Sequence, residues 1–422
     1  MPHSGSSLPV VLRRPLCVAA VLVALAALLA AACAGGDSTA QLVRSTPTPV
    51  PEPTIDLPTL PTPAPLDGSS EFGPFPGEVG SRAEPLAQTN PAHFINTDVF
   101  TLDDLKGEVV LIDFWTYTCV NCIRTFPYLQ DWHEKYGDIG LNIVGVHTPE
   151  FEFEKVRENV EQAMEDFDID WRVVQDNDFL TWRAFNNRFW PAKYLIDKDG
   201  IIQYTHFGEG AYVETESLIR DLLLDAGVNL AGIPANTQEG PEFDERAFNS
   251  GIDGNQTREL YAGLNPQFFS RQPYILQTEL YSNPAGGPVV FELPETLNNN
   301  FLYFHGVWTP TLEHMRHSRE TEDFEDFVAL RYNGTSVNVV LEAEDEPYRV
   351  YITQDESPVP EADWGRDIQA DEEGDTFVLV EKDRMYRLIE SPEYSGHELR
   401  LTSNSEDFIV FAFTFGSYPT GP

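Results

Sequence analysis

The chain has 422 residues, with 27 Lys and Arg against 68 Asp and Glu, a formal charge of −41. That length exceeds one ordinary core and predicts two domains. The charge excludes a nucleic-acid partner, because a polyanion is repelled rather than drawn in. An apolar content of 41% supports real cores, and one long apolar run excludes a multi-span transporter.

That run lies at the start. Arg13 and Arg14 precede an apolar stretch from Leu16 to Ala32, followed by Cys33, Ala34, Gly35 and Gly36. A basic region, an apolar core and a small-residue exit are the parts of an export signal, here residues 1–33. Ala30-Ala31-Ala32-Cys33 resembles a bacterial lipobox, which implies lipidation at Cys33 and an extracytoplasmic protein anchored to the bacterial cell membrane. Simple cleavage and an uncleaved anchor are the alternatives, and both leave the chain facing outward. Residues 34–83 are rich in proline and threonine, as in Thr46-Pro47-Thr48-Pro49 and Pro61-Thr62-Pro63-Ala64-Pro65. Proline removes donors and fixes backbone angles, so this segment is predicted as an extended tether without a core.

Residues 84–232 alternate strands and helices. Val109–Phe114 is an apolar run suited to a strand buried on both faces, and Ile123–Tyr136 carries helical spacing. Leu141–Val146 predicts a strand, and Glu152–Phe167 a helix with an apolar stripe from Val156 to Phe167. Trp171–Val174 reads as a strand and Phe179–Phe185 as a short helix. Ala192–Asp197 and Ile201–Phe207 flank a turn-forming Asp-Lys-Asp-Gly, and Glu214–Ala226 closes the unit as a helix stopped by Gly227. Strands alternating with helices predict one α/β domain.

The chemistry sits at Cys119-Val120-Asn121-Cys122, after the first strand and at a helix start. Helix-end N–H groups stabilise the thiolate of the first cysteine, and the second can attack a mixed disulfide formed there. Zinc sites also use this spacing but need two further ligands, and a structural disulfide with so short a loop constrains the unfolded chain little.

Phe114-Trp115 before the cysteines, Pro127 after them and Trp190-Pro191 before a hairpin strand resemble thioredoxin-fold proteins. The resemblance implies that Pro191 is a cis-proline facing the disulfide and that Asp113 is the buried acid serving Cys122. A closer match extends from Trp115 to Thr125, through Gly145-Val146-His147-Thr148-Pro149-Glu150-Phe151, to Tyr204-Thr205-His206-Phe207-Gly208-Glu209-Gly210. These stretches resemble the extracytoplasmic thioredoxin-like domain of DipZ-type proteins, within the TlpA/redoxin superfamily. Thr118 and Val120-Asn121 depart from thioredoxin, and the dipeptide between the cysteines tunes reduction potential, so the redox direction stays open. DipZ-type proteins can carry a fused multi-span electron-transfer module, so a separate membrane partner of CcdA type is expected here.

Residues 233–250 read as a linker, and residues 251–422 as a second domain of another class. Phe327–Tyr332, Val337–Ala343, Tyr348–Thr353, Thr376–Glu381, Met385–Ile389, Glu398–Thr402 and Phe408–Phe415 alternate like strands. Asn333-Gly334 and Gly251-Ile252-Asp253-Gly254 supply turns between them. The fold class is therefore an α/β thioredoxin-like domain followed by an all-β sandwich, jelly-roll-like. Gly396-His397-Glu398-Leu399-Arg400-Leu401 and Phe411–Gly416 resemble the carbohydrate-module-like domain of DipZ-type proteins, with Trp308, Trp364 and Tyr394 as a sugar-stacking surface.

The sequence predicts a thiol–disulfide oxidoreductase. Cys119 and Cys122 form its redox-active pair, Asp113 moves the proton, and Pro191 docks an extended client. Trp115, Tyr117 and Trp190 are expected to form an apolar apron for that client, while Trp182 is assigned to the core. His147 and His206 are expected as hydrogen-bonded structural residues, and Glu313, His314 and His317 as a solvated loop rather than a metal site. The chemistry needs no cofactor and no metal. Its partners are client proteins with disulfides or thiols, with a glycan as a partner for the β domain. Two alternatives are a peroxidase, from Thr116-Tyr117-Thr118-Cys119 with Ile112 at the usual proline position, and a glycan-binding envelope protein with a vestigial redox site.

Overall fold

The computed structural model describes residues 74–237, 256–265, 273–282, 286–343 and 346–416. The expected export signal, Cys33, the tether up to residue 73 and the Gly251–Gly254 turn lie outside these residues.

The first domain is built on a six-stranded mixed sheet. Its strands are β1 (Phe94–Ile95), β2 (Val109–Trp115), β3 (Leu141–His147), β4 (Arg172–Gln175), β5 (Ala192–Ile196) and β6 (Ile202–Phe207), in the order β1-β4-β3-β2-β5-β6. Strands β2, β3 and β4 are parallel, whereas β5 runs antiparallel to β2 and forms the expected antiparallel hairpin with β6. Every residue of β2 is buried, as its apolar run requires. Alternation then sorts its side chains. Val110, Ile112 and Phe114 face a core with Val144, Val174, Trp182 and Tyr194, while Val109, Leu111 and Trp115 face the opposite core. That second core is covered by α1 (Val120–Tyr136), through Phe126, Leu129 and Trp132. Asp113 belongs to the α1 side by the same alternation, and so does Lys193 of β5 beside Leu195.

Three further helices follow: α2 (Arg157–Asp166), α3 (Leu180–Ala184) and α4 (Tyr212–Asp225). The predicted Glu152–Phe167 helix is split. Glu152–Lys155 forms a single 3-10 turn, and Val156, expected on the apolar stripe, is extended at φ −70, ψ 120 and exposed. The turn is held apart by the Glu154 carboxylate, which accepts the backbone N–H groups of Glu150 and Phe151.

The second domain is antiparallel and all-β. Its strands are β7 (Leu260–Tyr261), β8 (Val289–Phe291), β9 (Leu302–Pro310), β10 (Met315–His317), β11 (Phe327–Glu342), β12 (Tyr348–Gln354), β13 (Ser357–Pro358), β14 (Gln369–Ala370), β15 (Thr376–Val380), β16 (Arg384–Thr402) and β17 (Ile409–Gly416). Asn333-Gly334 is not the predicted turn. It lies inside β11, at a register shift between Gly334 and Ser336, and the expected strands on either side are one 16-residue strand. Likewise Met385–Ile389 and Glu398–Thr402 belong to one 19-residue strand, β16. The first half of β11 pairs with β9 and its second half with β17, so the irregularity marks where the strand passes from one neighbour to the other.

The two domains share a packed interface. Phe411 of β17 meets Phe151 and Phe153 with ring centroids 5.0 and 4.9 Å apart. The Tyr261 hydroxyl donates to Glu150 at 2.7 Å, and Asn159 donates to Asp383 at 3.1 Å. One apolar cluster runs continuously through both domains.

Candidate active site

Strand β2 ends at Trp115, and the chain turns through Thr116–Thr118 to Cys119, the N-cap of α1. The Cys122 backbone N–H is shared between the Cys119 sulfur at 3.2 Å and the Cys119 carbonyl at 3.0 Å, which ties the first sulfur to the start of the helix. Cys119 is half-buried and Cys122 fully buried, with both thiols free. Burial, followed by the neighbouring Cys119, pushes the Cys122 thiol well above its usual range. One sulfur is thus presented outward and the other held within.

Asp113 lies beneath this pair. Burial pushes its carboxyl up to about 6, against the pull of Lys193. Lys193 stands directly opposite Asp113 in the antiparallel register, with Nζ 3.7 Å from the carboxylate and no exposure of its own. Among the described residues neither Asp113 oxygen nor Lys193 Nζ has a hydrogen-bond partner. The Lys193 charge also acts on Glu209, whose carboxylate pairs with Arg124 of α1 at 3.6 Å. The sequence reading missed Lys193 and Glu209. A lysine inside the apolar run Ala192–Ile196 was the available signal, since a buried cation needs an anion beside it.

The Trp190–Pro191 bond is cis. Pro191 precedes β5 at the end of the sheet where β2 delivers Cys119, and its carbonyl accepts the Gly208 N–H at 2.8 Å. Trp190 is half-buried, stacks near Trp182 and donates to the Thr148 carbonyl at 3.0 Å. The other two residues of the expected apron are not on the surface. Trp115 and Tyr117 are 1% and 3% exposed, packed edge-on and face-on against His147, so they are core residues. Alternation along β2 puts Trp115 beneath α1, and the second domain helps to enclose Tyr117. His147 is buried, with Nε2 3.4 Å from the Thr116 hydroxyl, and burial holds it down to about 3. His206 contacts the Glu209 carbonyl at 3.2 Å.

Two expectations for the β domain change. His317 is not in a solvated loop: it is fully buried in β10, between the Ser405 carbonyl at 2.7 Å and Asp326 at 3.1 Å. His314 packs on Phe411, and among the described residues no three His, Cys, Asp or Glu side chains converge as metal ligands. The sugar-stacking surface is also not formed as expected. Trp308 is fully buried against Phe304 and Phe408, and Trp364 is half-buried with its indole N–H on the Val359 carbonyl; Tyr394 alone of the three is exposed.

A mixed sheet that presents Cys-x-x-Cys at a helix N-terminus, with a buried acid below and a cis-proline alongside, defines a thioredoxin-like redox site. Residues 81–205 match the AhpC/TSA family, and residues 270–416 match the family described as thioredoxin like C-terminal domain. Protein DipZ of Mycobacterium tuberculosis is 36% identical over 246 residues, covering 57% of this chain and 32% of that protein. The chain thus spans about a third of the DipZ length, 32%. Thiol-disulfide oxidoreductase YkuV of Bacillus subtilis is 33% identical over 123 residues, 29% of this chain and 80% of that protein. Thiol-disulfide oxidoreductase ResA of Bacillus cereus is 24% identical over 161 residues, covering 37% of this chain and 90% of that protein. The chain belongs to the thioredoxin-like thiol–disulfide oxidoreductases, and it is DipZ-like in joining that domain to a C-terminal β domain.

Proposed function

We propose that the protein is an exported, membrane-tethered oxidoreductase that exchanges disulfides with envelope proteins through its Cys-Val-Asn-Cys site. The single observation that carries the exchange is the asymmetry of the two sulfurs. A half-buried Cys119 accepts a helix N–H, and a buried Cys122 has its thiol pushed up. The Cys119 thiolate attacks a client disulfide, forming a mixed disulfide and releasing the first client thiolate, which takes a proton from solvent. Cys122 then loses its proton to Asp113 and attacks the Cys119 sulfur. The second client thiol leaves, and Cys119 and Cys122 remain joined. The reverse sequence oxidises a client dithiol. Pro191 and Trp190, at the end of the sheet where β2 leads to Cys119, dock the extended client.

Export and anchoring are supported by the apolar segment from Leu16 to Ala32 and the small-residue exit at Cys33. A separate membrane protein of CcdA type supplies or withdraws the electrons. The Thr116 hydroxyl contacts His147 and bonds to Glu154, so it is already engaged away from any peroxide role at Cys119.

Trapping tests this reading. Cys122→Ser should accumulate reducible adducts between Cys119 and client proteins, because the resolving sulfur is gone, and Cys119→Ser should give none. Rapid hydroperoxide turnover without adducts would replace the proposal with a peroxidase, through sulfenic acid at Cys119.

A further inference from the structure

The Glu150–Lys155 segment belongs to the redox domain yet lies against the β domain, and its polar contacts continue directly to the redox loop. Glu154 is fully buried. Its carboxylate accepts the Thr118 hydroxyl at 2.6 Å, and Thr118 is the residue before Cys119. It also accepts the Thr116 hydroxyl and the backbone N–H groups of Glu150 and Phe151. Four donors on one buried carboxylate fix two segments together: the approach to Cys119 and the 3-10 turn. That turn is in turn held by the second domain. Tyr261 of β7 donates to the Glu150 side chain at 2.7 Å, the backbone N–H of Glu152 donates to Glu313 at 2.9 Å, and Phe411 packs on Phe151 and Phe153. Phe153 then reaches Tyr117, 6.2 Å between ring centroids, inside the redox loop itself.

We infer that the C-terminal β domain is the positioning element of the redox centre: Tyr261 holds the Glu150–Glu154 turn, and Glu154 holds Thr118 and through it Cys119. This rests on Cys119 being the nucleophile. Tyr261 and Glu154 are positioning residues, since neither touches the reacting sulfur. Their effect is to keep the Cys119 sulfur at the N-cap of α1, within 3.2 Å of the Cys122 N–H. The domain thereby has a task that needs no glycan. The Thr-x-Thr-Cys approach has its side chains committed to the domain interface, so the two domains act as one redox unit.

The test is site-resolved alkylation of Cys119 by iodoacetamide in the reduced full-length chain, followed across pH by mass spectrometry. Tyr261→Phe removes one hydroxyl from the interface and should slow Cys119 alkylation at neutral pH by about two- to thirty-fold, the span of ordinary coupling between linked elements. Its pH profile should move upward. Glu154→Gln should do the same more strongly, and Tyr261→Phe should add little in the Glu154→Gln background, because both act through one link. Should Glu154→Gln fail to fold, Thr118→Val cuts the same link from the redox side. A purely mechanical interface would lower the unfolding midpoint of Tyr261→Phe and leave the pH profile in place, which would overturn the inference. So would a shift in Glu154→Gln or Thr118→Val with none in Tyr261→Phe. A wild-type chain that alkylates as described but exchanges no disulfide would count against the oxidoreductase reading alone.

Discussion

Asp113 and Lys193 are two charges that burial alone would forbid, and each is tolerated because of the other. At 3.7 Å, with no further hydrogen bonds among the described residues, the pair leaves Asp113 able to take and return a proton. Its carboxyl is pushed by burial to about 6, close enough to neutrality to accept the Cys122 proton during resolution. The sign of the Lys193 effect is definite: the cation lowers the acid. Lys193→Met should therefore leave Asp113 protonated to higher pH. The resolution rate in single-turnover stopped flow should rise with an inflection near about 6 in the wild type. In Lys193→Met that inflection should move upward by about a unit or more. An unchanged profile would remove Lys193 from the proton path. Linkage gives a second expectation. The folded carboxyl binds its proton more tightly than the unfolded one, so its contribution to stability is present below 3.8 and is lost as pH rises towards about 6.

At the scale of elements, the β domain owes its long strands to close backbone approaches. A Cβ on Gly334 would stand 2.8 Å from the Gly416 carbonyl oxygen, and one on Gly396 would run into the Asn333 side chain. Gly334→Ala should destabilise the domain by about 1–3 kcal/mol, read as a lower urea midpoint with an unchanged slope. A wild-type midpoint would show that the strand crossing can widen freely. This crossing also explains where the sequence was legible and where it was not. Asn333-Gly334 has the chemistry of a hairpin turn, and only tertiary pairing reveals it as an irregularity inside β11. The Glu152–Phe167 helix failed for a related reason, since Glu154 is drawn out of helical geometry by partners in Thr116 and Thr118. By contrast, Val109–Phe114, the Ala192–Phe207 hairpin and the position of Cys119 at a helix start follow from local pattern, and the structure forms them there. Cys119 and Cys122 are legible from their spacing at a helix start, whereas Asp113 and Pro191 are singled out only through the resemblance to thioredoxin-fold proteins. Lys193, Glu209 and Glu154 were not singled out, because their roles depend on which strands and loops become neighbours.

At the scale of the whole molecule, we propose that the redox domain, the β domain and the N-terminal segment divide three tasks: exchange, support of the redox loop and placement at the membrane. In the proposed reading, placement depends on Cys33. Cys33→Ala should leave export possible but move the protein from the membrane fraction to the soluble fraction on cell fractionation, because the acyl chains supply the hold. Full membrane retention would instead assign the anchor to Leu16–Ala32. The exchange itself is tested most directly by a redox titration of the purified chain. Equilibrated in glutathione buffers, quenched with acid and analysed by mass spectrometry, Cys119 and Cys122 should interconvert between two thiols and one mutual disulfide, with a single two-electron midpoint. A titration in which Cys119 only accumulates a glutathione adduct, and never closes onto Cys122, would contradict thiol–disulfide exchange at this site.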